Sequence, residues 1–411
     1  MPKPIAIPED EYLDPPDPAA FLAECRDPNR LLYFLLNVGD GDTQLLLLPE
    51  VGGDRRALVV DVAGGQQDKL PALVTALKAT GLLHAPQAGV ADDVRTFVIV
   101  VGTHPHDDHI GGMAPFLRLF GDEVAEYWDP GYYHPTQAFI DTMKQLEDQP
   151  HVVWTQPSSG MRRYVDDVRI TVLAPGIVLK NQYDSYGIDP NNASVALKVE
   201  YPFRRVQERT ARVAHEPVPA DEQVAGRLYA KIPQARSLVL GADAQARSWA
   251  QVQADFPRLD SSESPVFQTL KMAQGLDPLS ADVFKVSHHA SKRGVYLELL
   301  ELLTPGISLV SSVGGGGKYG FPHAIAQEAI RESRQMLATE PGTQRKPDYD
   351  LGIYYTADTA IRNGTERRLG SIAVVIPPSS NQPLQLWRFG DAADEPVDLN
   401  RAQRLHQQPR P

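Results

Sequence analysis

The run His104-Pro105-His106-Asp107-Asp108-His109 concentrates the residue types that hold metal ions. A metal centre needs imidazole nitrogens and carboxylate oxygens converging to within about 2–2.3 Å of an ion. His104, His106, Asp108 and His109 offer such groups on consecutive turns of chain. A tight turn after a strand can aim alternate side chains at two neighbouring points. His104 and His106 would face one ion, Asp108 and His109 a second. Gly111 and Gly112 follow, and glycine lets a helix begin close to such a site. The chain has 11 histidines in 411 residues, so three of them in this short run is far from a chance cluster.

Two further stretches carry candidates. Gly241-Ala242-Asp243 ends the apolar run Ser237–Leu240, where a carboxylate could bridge two ions. His288 and His289 follow the run Asp282–Val286. Three separate predicted strands thus end in potential ligands, and open α/β sheets place their sites at strand ends.

The elements that must position these groups are legible as hydrophobic runs and periodicities. Leu31–Val38 and Thr43–Leu48 flank Gly39-Asp40-Gly41-Asp42 and predict a hairpin. Ala57–Val62 predicts a third strand, and Thr96–Val101 the buried strand that delivers the histidine run. Leu70, Leu73, Val74 and Leu77 have helical spacing within Asp68–Thr80. Further helices are expected over Gly111–Gly121, Phe139–Glu147, Tyr296–Leu303 and Ala324–Leu337. Strands are expected at Val152–Trp154, Arg169–Leu173, Val195–Tyr201, Ile307–Val313, Gly352–Thr356 and Ser371–Ile376. Strands first, then strand–helix alternation in two halves, point to an α/β sandwich. The expected organisation is an N-terminal extension over 1–30, one domain over 31–385 with a helical insertion at about 244–275, and a polar tail over 386–411, loose beyond about Asp391. The mixed-charge stretch from Arg204 to Glu222 reads as an exposed hairpin or loop.

Composition narrows the class. With 42% hydrophobic and 22% charged residues the chain is that of a globular protein. The lone cysteine, Cys25, excludes an internal disulfide framework and points to a reducing, cytoplasmic setting. No signal-like N-terminus and no membrane-spanning apolar run is expected. The net charge of −12 repels phosphate backbones on average, so nucleic-acid binding would need a local basic groove. Arg162, Arg163, Arg204, Arg205, Arg209 and Arg212 are its candidates.

The histidine run resembles the central motif of the metallo-β-lactamase superfamily. Six other segments occur in an order similar to that of the metallo-hydrolase domain of ComEC-type DNA-uptake proteins, across roughly residues 30–375. They are Phe34–Asp42, Val59–Gly65, Asn191–Val195, Leu240–Asp243, Val286–Ser291 and Tyr319–His323. The resemblance implies a four-layer αββα metallo-β-lactamase sandwich with a two-metal site at one edge. It implies His104 and His106 as ligands of one metal, Asp108 and His109 of the other, and Asp243 as the bridging carboxylate. The last histidine ligand falls on His289 or His288. His289 is favoured because related nucleases carry a single histidine before a small residue and serine, as in His289-Ala290-Ser291. His288 then lies over the substrate. Asp61 resembles the structural aspartate that orients the motif loop, acting through the ligands.

Two departures stand out. Where many members have a further histidine ligand, this chain reads Asp189-Pro190-Asn191-Asn192, so Asn192 or Asp189 becomes the candidate oxygen donor. Alanine also precedes Asp243 where the family usually has glycine.

The implied cofactors are zinc (Zn2+) or manganese (Mn2+), two ions per chain, since mixed imidazole and carboxylate ligands suit both. Such a site lowers the pKa of a water toward ~7 and stabilises charge on an ester oxygen. Asp108 is the candidate to assist proton transfer, with His288 and His323 as further catalytic candidates. Lys318, in a glycine-rich turn, is the candidate phosphate contact. The expected reaction is hydrolysis of a phosphodiester, with nucleic acid or a nucleotide as partner and no membrane. A small ester, lactone or phosphorylcholine-type substrate is the alternative within enzymes, because fold does not fix substrate. A metal-binding regulatory or defence subunit with little turnover is the alternative outside them, with homo-oligomer or protein partners.

Overall fold

The computed structural model describes residues 7–86, 94–180, 189–203, 235–256, 279–314, 317, 319–335, 347–379 and 381–406. Two large mixed sheets face each other. The first runs, edge to edge, Gln403–Arg404, Gln385–Arg388, Ile372–Ile376, Leu31–Leu35, Thr43–Leu47, Ala57–Val62, Phe97–Val101, Glu126–Trp128 and Val153–Thr155. The second runs Ile353–Tyr355, Ile307–Val310, Val283–Lys285, Arg236–Leu240, Ala196–Tyr201, Val168–Ala174 and Arg162–Val165. A small third sheet joins Ile7–Pro8 to the hairpin Thr359–Arg362 and Thr365–Arg368.

Three apolar clusters define four layers. One lies between the sheets and takes alternate residues from each strand, such as Leu31, Tyr33 and Leu35 with Val283, Ile307 and Leu309. The second lies outside the first sheet, where Leu32, Phe34, Val59 and Val100 meet Leu70, Leu73, Phe116 and Leu117 of helices Lys69–Ala79 and Met113–Phe120. The third lies outside the second sheet, where Val239, Phe284 and Val310 meet Trp249, Leu299 and Ile330. Strands buried on both faces must be apolar at every position, and this is why they read as unbroken hydrophobic runs. The architecture is an α/β sandwich of the metallo-β-lactamase fold.

Four strands in each sheet run parallel: Ala57–Val62 through Val153–Thr155, and Arg236–Leu240 through Ile353–Tyr355. Parallel strands end together, so their C-terminal ends bring distant segments to one edge.

Several expectations change. Leu31–Leu35 and Thr43–Leu47 do pair antiparallel, but through a seven-residue connection from Leu36 to Asp42 rather than a tight turn. Residues 386–406 are no loose tail. Gln385–Arg388 and Gln403–Arg404 extend the first sheet, and Leu399, Ala402 and Leu405 are buried. Their short length and polar composition hid them: Gln385–Arg388 and Gln403–Arg404 each carry charged or polar residues among few apolar ones. The N-terminal segment is likewise docked. Asp17 caps the helix Pro18–Arg26 by accepting from Ala20 N, and Phe21 and Cys25 are buried. The helix Ala246–Asp255 belongs to the outer layer through Trp249 and Val252, and the remainder of the expected insertion from 257 on lies outside the described residues. So does the mixed-charge stretch from Arg204 to Glu222, with Arg204, Arg205, Arg209 and Arg212. Among the described residues no helix is long and apolar enough to cross a membrane.

Candidate metal centre

The strand Ala57–Val62 carries Asp61 at its end with φ of 60°, a left-handed backbone that turns the carboxylate toward the neighbouring strand's exit. Asp61 is fully buried and its oxygens are all engaged. Oδ1 accepts from Thr103 N at 2.8 Å, and Oδ2 accepts from Thr103 Oγ1 at 2.8 Å. Oδ2 also accepts from His109 Nδ1 at 2.7 Å. A nitrogen facing a carboxylate carries the proton, so His109 presents Nε2 to the site. Thr103 Oγ1, having given its hydrogen to Asp61, accepts from His104 Nδ1 at 3.2 Å. His104 therefore also presents Nε2. One carboxylate thus sets the tautomer of two histidines. Asp61→Asn keeps the shape but weakens both relays. We expect metal affinity to fall 10–100-fold with the fold intact, as read by calorimetric titration; an unchanged affinity would remove Asp61 from this role.

His289 completes the pattern from the other sheet. Its Nδ1 lies 3.1 Å from the carbonyl oxygen of Ser311, which can only accept, so Nε2 again faces inward. Nε2 is 3.7 Å from Asp243 Oδ1 and 3.8 Å from Asp108 Oδ2. Asp243 Oδ1 lies 3.2 Å from His109 Nε2, and Asp243 Oδ2 lies 3.6 Å from His104 Nε2 and 3.5 Å from His288 Nε2. His106 Nδ1 is 3.1 Å from His104 Nε2. Asp108 is half-buried, on the open side, while His104, His109 and His289 have no exposed side-chain surface.

These residues fit a cation. His109 Nε2, His289 Nε2 and Asp243 Oδ1 are buried atoms without a hydrogen-bond partner, and all three converge. Leaving such polar atoms unpaired is costly, and two imidazole lone pairs with a carboxylate match a divalent ion's donor set. Ligand atoms cluster in two overlapping groups, His104–His109–Asp243 and Asp108–His109–His289. A third group, Asp42–Asp61–His109, is structural. Asp42 is occupied by Lys285 Nζ and Ser311 Oγ, and Asp61 by Thr103 and His109.

Charge reinforces the geometry. Burial would lower the His109 imidazole, but Asp243 and Asp61 overcome it and hold it well above the usual histidine range. Burial would raise Asp243, but His109 and His288 hold it well below the usual carboxylate range. Burial, reinforced by neighbouring His109, keeps His104 well below the usual range, hence neutral.

Glycines let the loop close over the site. A Cβ on Gly111 would meet Asp107 O at 2.5 Å and Gly64 Cα at 2.7 Å, so the histidine run and the loop after Ala57–Val62 pack backbone to backbone. At the second sheet, Ala242 adopts φ of 44° where the family usually has glycine before the aspartate, and Asp243 still reaches His109.

Other candidates land elsewhere. Asn192 Oδ1 accepts from Ser248 N at 3.3 Å, and Asp189 Oδ2 from Gln245 Nε2 at 3.3 Å, so both oxygens hold the loop that carries Gln245. Asp189 joins none of the ligand groups. His323 Nδ1 accepts from Lys292 N at 3.1 Å, and its ring packs edge-on to Phe321, the aromatic ring lying against His288 and His289. It borders the centre through Phe321. Arg163 pairs with Glu126 at 3.2 Å. Lys318 lies outside the described residues. Thr103, Gln245, Lys285 and Ser311 went unread in the sequence, and Asp42 was read only as part of a turn and of a resembling segment. A buried polar residue beside a strand end was their only signal.

Residues 50–201 match the family model of the metallo-β-lactamase superfamily. With the sandwich and the site at its strand ends, this match supports the metallo-β-lactamase superfamily as the chain's family; it reaches no subgroup. Similar solved structures include the diiron β-hydroxylase CmlA from Streptomyces venezuelae, at 12% identity and TM-score 0.33, covering 83% of this chain and 54% of that one. The chain therefore spans about half the length of that hydroxylase. The metallo-β-lactamase fold protein YhfI from Bacillus subtilis is 12% identical, TM-score 0.34, with 82% of this chain and 98% of that one covered. Human tRNase Z, short form, is 11% identical, TM-score 0.31, with 69% and 92% covered. Comparison with curated protein sequences gave no match.

Proposed function

We propose that this protein is a metal-dependent hydrolase that cleaves phosphodiesters, with nucleic acid or a nucleotide as substrate. The convergence of His109 Nε2, His289 Nε2 and Asp243 Oδ1, buried and without hydrogen-bond partners, carries the reading. His104, His106, Asp108, His109, Asp243 and His289 would hold two ions, zinc or manganese. Bound ions of this kind lower the pKa of a water toward ~7 and offset charge on an ester oxygen.

The chain's own residues do the rest. Asp61 and Thr103 orient the ligand rings. Asp108, the half-exposed carboxylate, is placed to take a proton from the attacking water. His288 borders the open side. Phe321 lies against His288 and His289 and covers one side of their rings.

The resemblance to ComEC-type hydrolase domains supports the phosphodiester class. So does an aromatic feature: Tyr319, half-exposed, stacks on Phe321 at 5.7 Å and 27°, next to His288. Aromatic faces beside a site suit nucleobases. The test is cleavage of a generic phosphodiester and of single- and double-stranded DNA and RNA, with manganese and with zinc. Metal-dependent cleavage that disappears in Asp108→Ala/His109→Ala is expected. Metal binding without cleavage of any of these would overturn the substrate class in favour of a small ester or lactone.

A further inference from the structure

His288 and His289 are adjacent, yet their rings are wired with opposite polarity. Three consecutive residues, His288, His289 and Ala290, have φ of 49°, 51° and 59°. Left-handed backbone in non-glycine residues is strained and persists only where surroundings enforce it. Here His288 N donates to Ala242 O at 2.8 Å and Ser291 N to His288 O at 2.7 Å. The turn sends His289 inward, onto Ser311 O, and His288 toward Gln245.

The polarity of the Gln245 contact is set by a chain of groups that can each act in one sense. Ser248 N can only donate, so the Asn192 atom facing it at 3.3 Å is the oxygen, and Asn192 Nδ2 faces Gln245 Oε1 at 3.5 Å. Gln245 then turns its amide nitrogen to the Asp189 carboxylate at 3.3 Å and to His288 Nδ1 at 3.3 Å. A ring nitrogen that receives a hydrogen bond carries no proton, so the proton of the neutral ring resides on Nε2. The neutral rings of His104, His109 and His289, the forms that can take a metal, have it on Nδ1 instead. His288 also keeps 15% of its side chain exposed, against none for those three.

We propose that Gln245, held by Asn192 and Asp189, fixes His288 as a hydrogen-bond donor through Nε2 to a negatively charged substrate oxygen, and that His288 is not a metal ligand. This rests on the metallohydrolase reading above. Gln245 is a positioning residue and His288 the group that touches substrate. A pre-aimed donor acts where charge develops on the phosphoryl or leaving oxygen, and losing one typically costs about 10²–10³ in turnover. The donor gives a hydrogen bond and keeps its proton, so no further reactant is needed.

The experiment uses the full chain loaded with zinc and labelled with 15N in its histidine rings. Two-bond proton–nitrogen spectra identify which nitrogen is protonated, and inorganic phosphate serves as the anion probe. The wild-type His288 is expected as the Nε2–H form. The near-isosteric pair Gln245→Glu/Asp189→Asn inverts the relay, and should move the proton to Nδ1 and weaken phosphate binding about tenfold. Zinc content per chain should not change in that variant or in His288→Ala. A wild-type His288 protonated on Nδ1, an inverted pair with unmoved tautomer and phosphate affinity, or loss of zinc in His288→Ala would each overturn the proposal. The tautomer is read without substrate, so a failure to cleave phosphodiesters bears on the proposed reaction alone.

Discussion

Lys285→Met is expected to destabilise the fold by about 3–5 kcal/mol, the cost of leaving one member of a buried ion pair uncompensated. Lys285 ends the strand Val283–Lys285 of the second sheet, and Asp42 precedes the strand Thr43–Leu47 of the first. Their side chains are in direct contact and neither has exposed surface. Burial would raise the Asp42 carboxyl, but Lys285 and then His289 hold it below the usual carboxylate range, so it stays charged. Methionine fills the space of the lysine stem while removing its charge. Asp42 would then face Ser311 Oγ and His289 Nδ1, the latter at 3.8 Å, with a buried negative charge. The denaturant midpoint should fall accordingly. Asp42→Asn/Lys285→Met, which removes both charges, should recover most of the loss. A single variant within about 1 kcal/mol of wild type would mean that water or another cation compensates Asp42. The pair is tied to function through Ser311, which contacts both Asp42 and the Nδ1 of His289.

Asp243→Asn should have the largest effect on the site. Among the described residues Asp243 is the only carboxylate within 4 Å of four histidine rings, His104, His109, His288 and His289. Asparagine keeps the shape, so the fold should persist. It removes the negative charge that would balance bound dications and, in the metal-free chain, helps hold His109 protonated. Hydrolysis should drop more than the ~100-fold upper end expected for a group acting behind the ligands, such as Asp61. The metal-dependent gain in stability should disappear with it. A ligand present at 100 times its dissociation constant stabilises by about 2.7 kcal/mol, which a melting curve resolves easily. An Asp243→Asn protein that still melts higher with added zinc, and still turns over, would show that Asp243 is dispensable to metal binding. Metal uptake by the wild type should also compete with the proton on His109, because ligands must be deprotonated to bind.

The residues that could be read from sequence share one property: their meaning is local. His104, His106, Asp108 and His109 are neighbours in the chain, and a strand before them and glycines after them suffice to suggest a turn full of ligands. The strands Ala57–Val62 and Phe97–Val101 were legible because burial on both faces forces continuous apolar runs. Asp243 and His289 needed one more step, the rule that parallel strands end at a common edge. The strands at or next to a sheet edge, Glu126–Trp128, Arg162–Val165, Gln385–Arg388 and Gln403–Arg404, are short, and several carry charge, so no periodicity announced them.

By itself, then, the sequence determined the donor types, their order along the chain and the elements that end in them. The tertiary structure alone decided which atom of each donor faces inward. That depends on contacts between residues far apart: Asp61 with His109 across 48 positions, Asp42 with Lys285 across 243, Gln245 with His288 across 43. A histidine's tautomer is set by whatever lies behind its ring, and a sheet supplies that neighbour from another strand. His288 and His289 are identical in type and adjacent in the chain, and what distinguishes their rings physically is a glutamine behind one and a serine carbonyl behind the other.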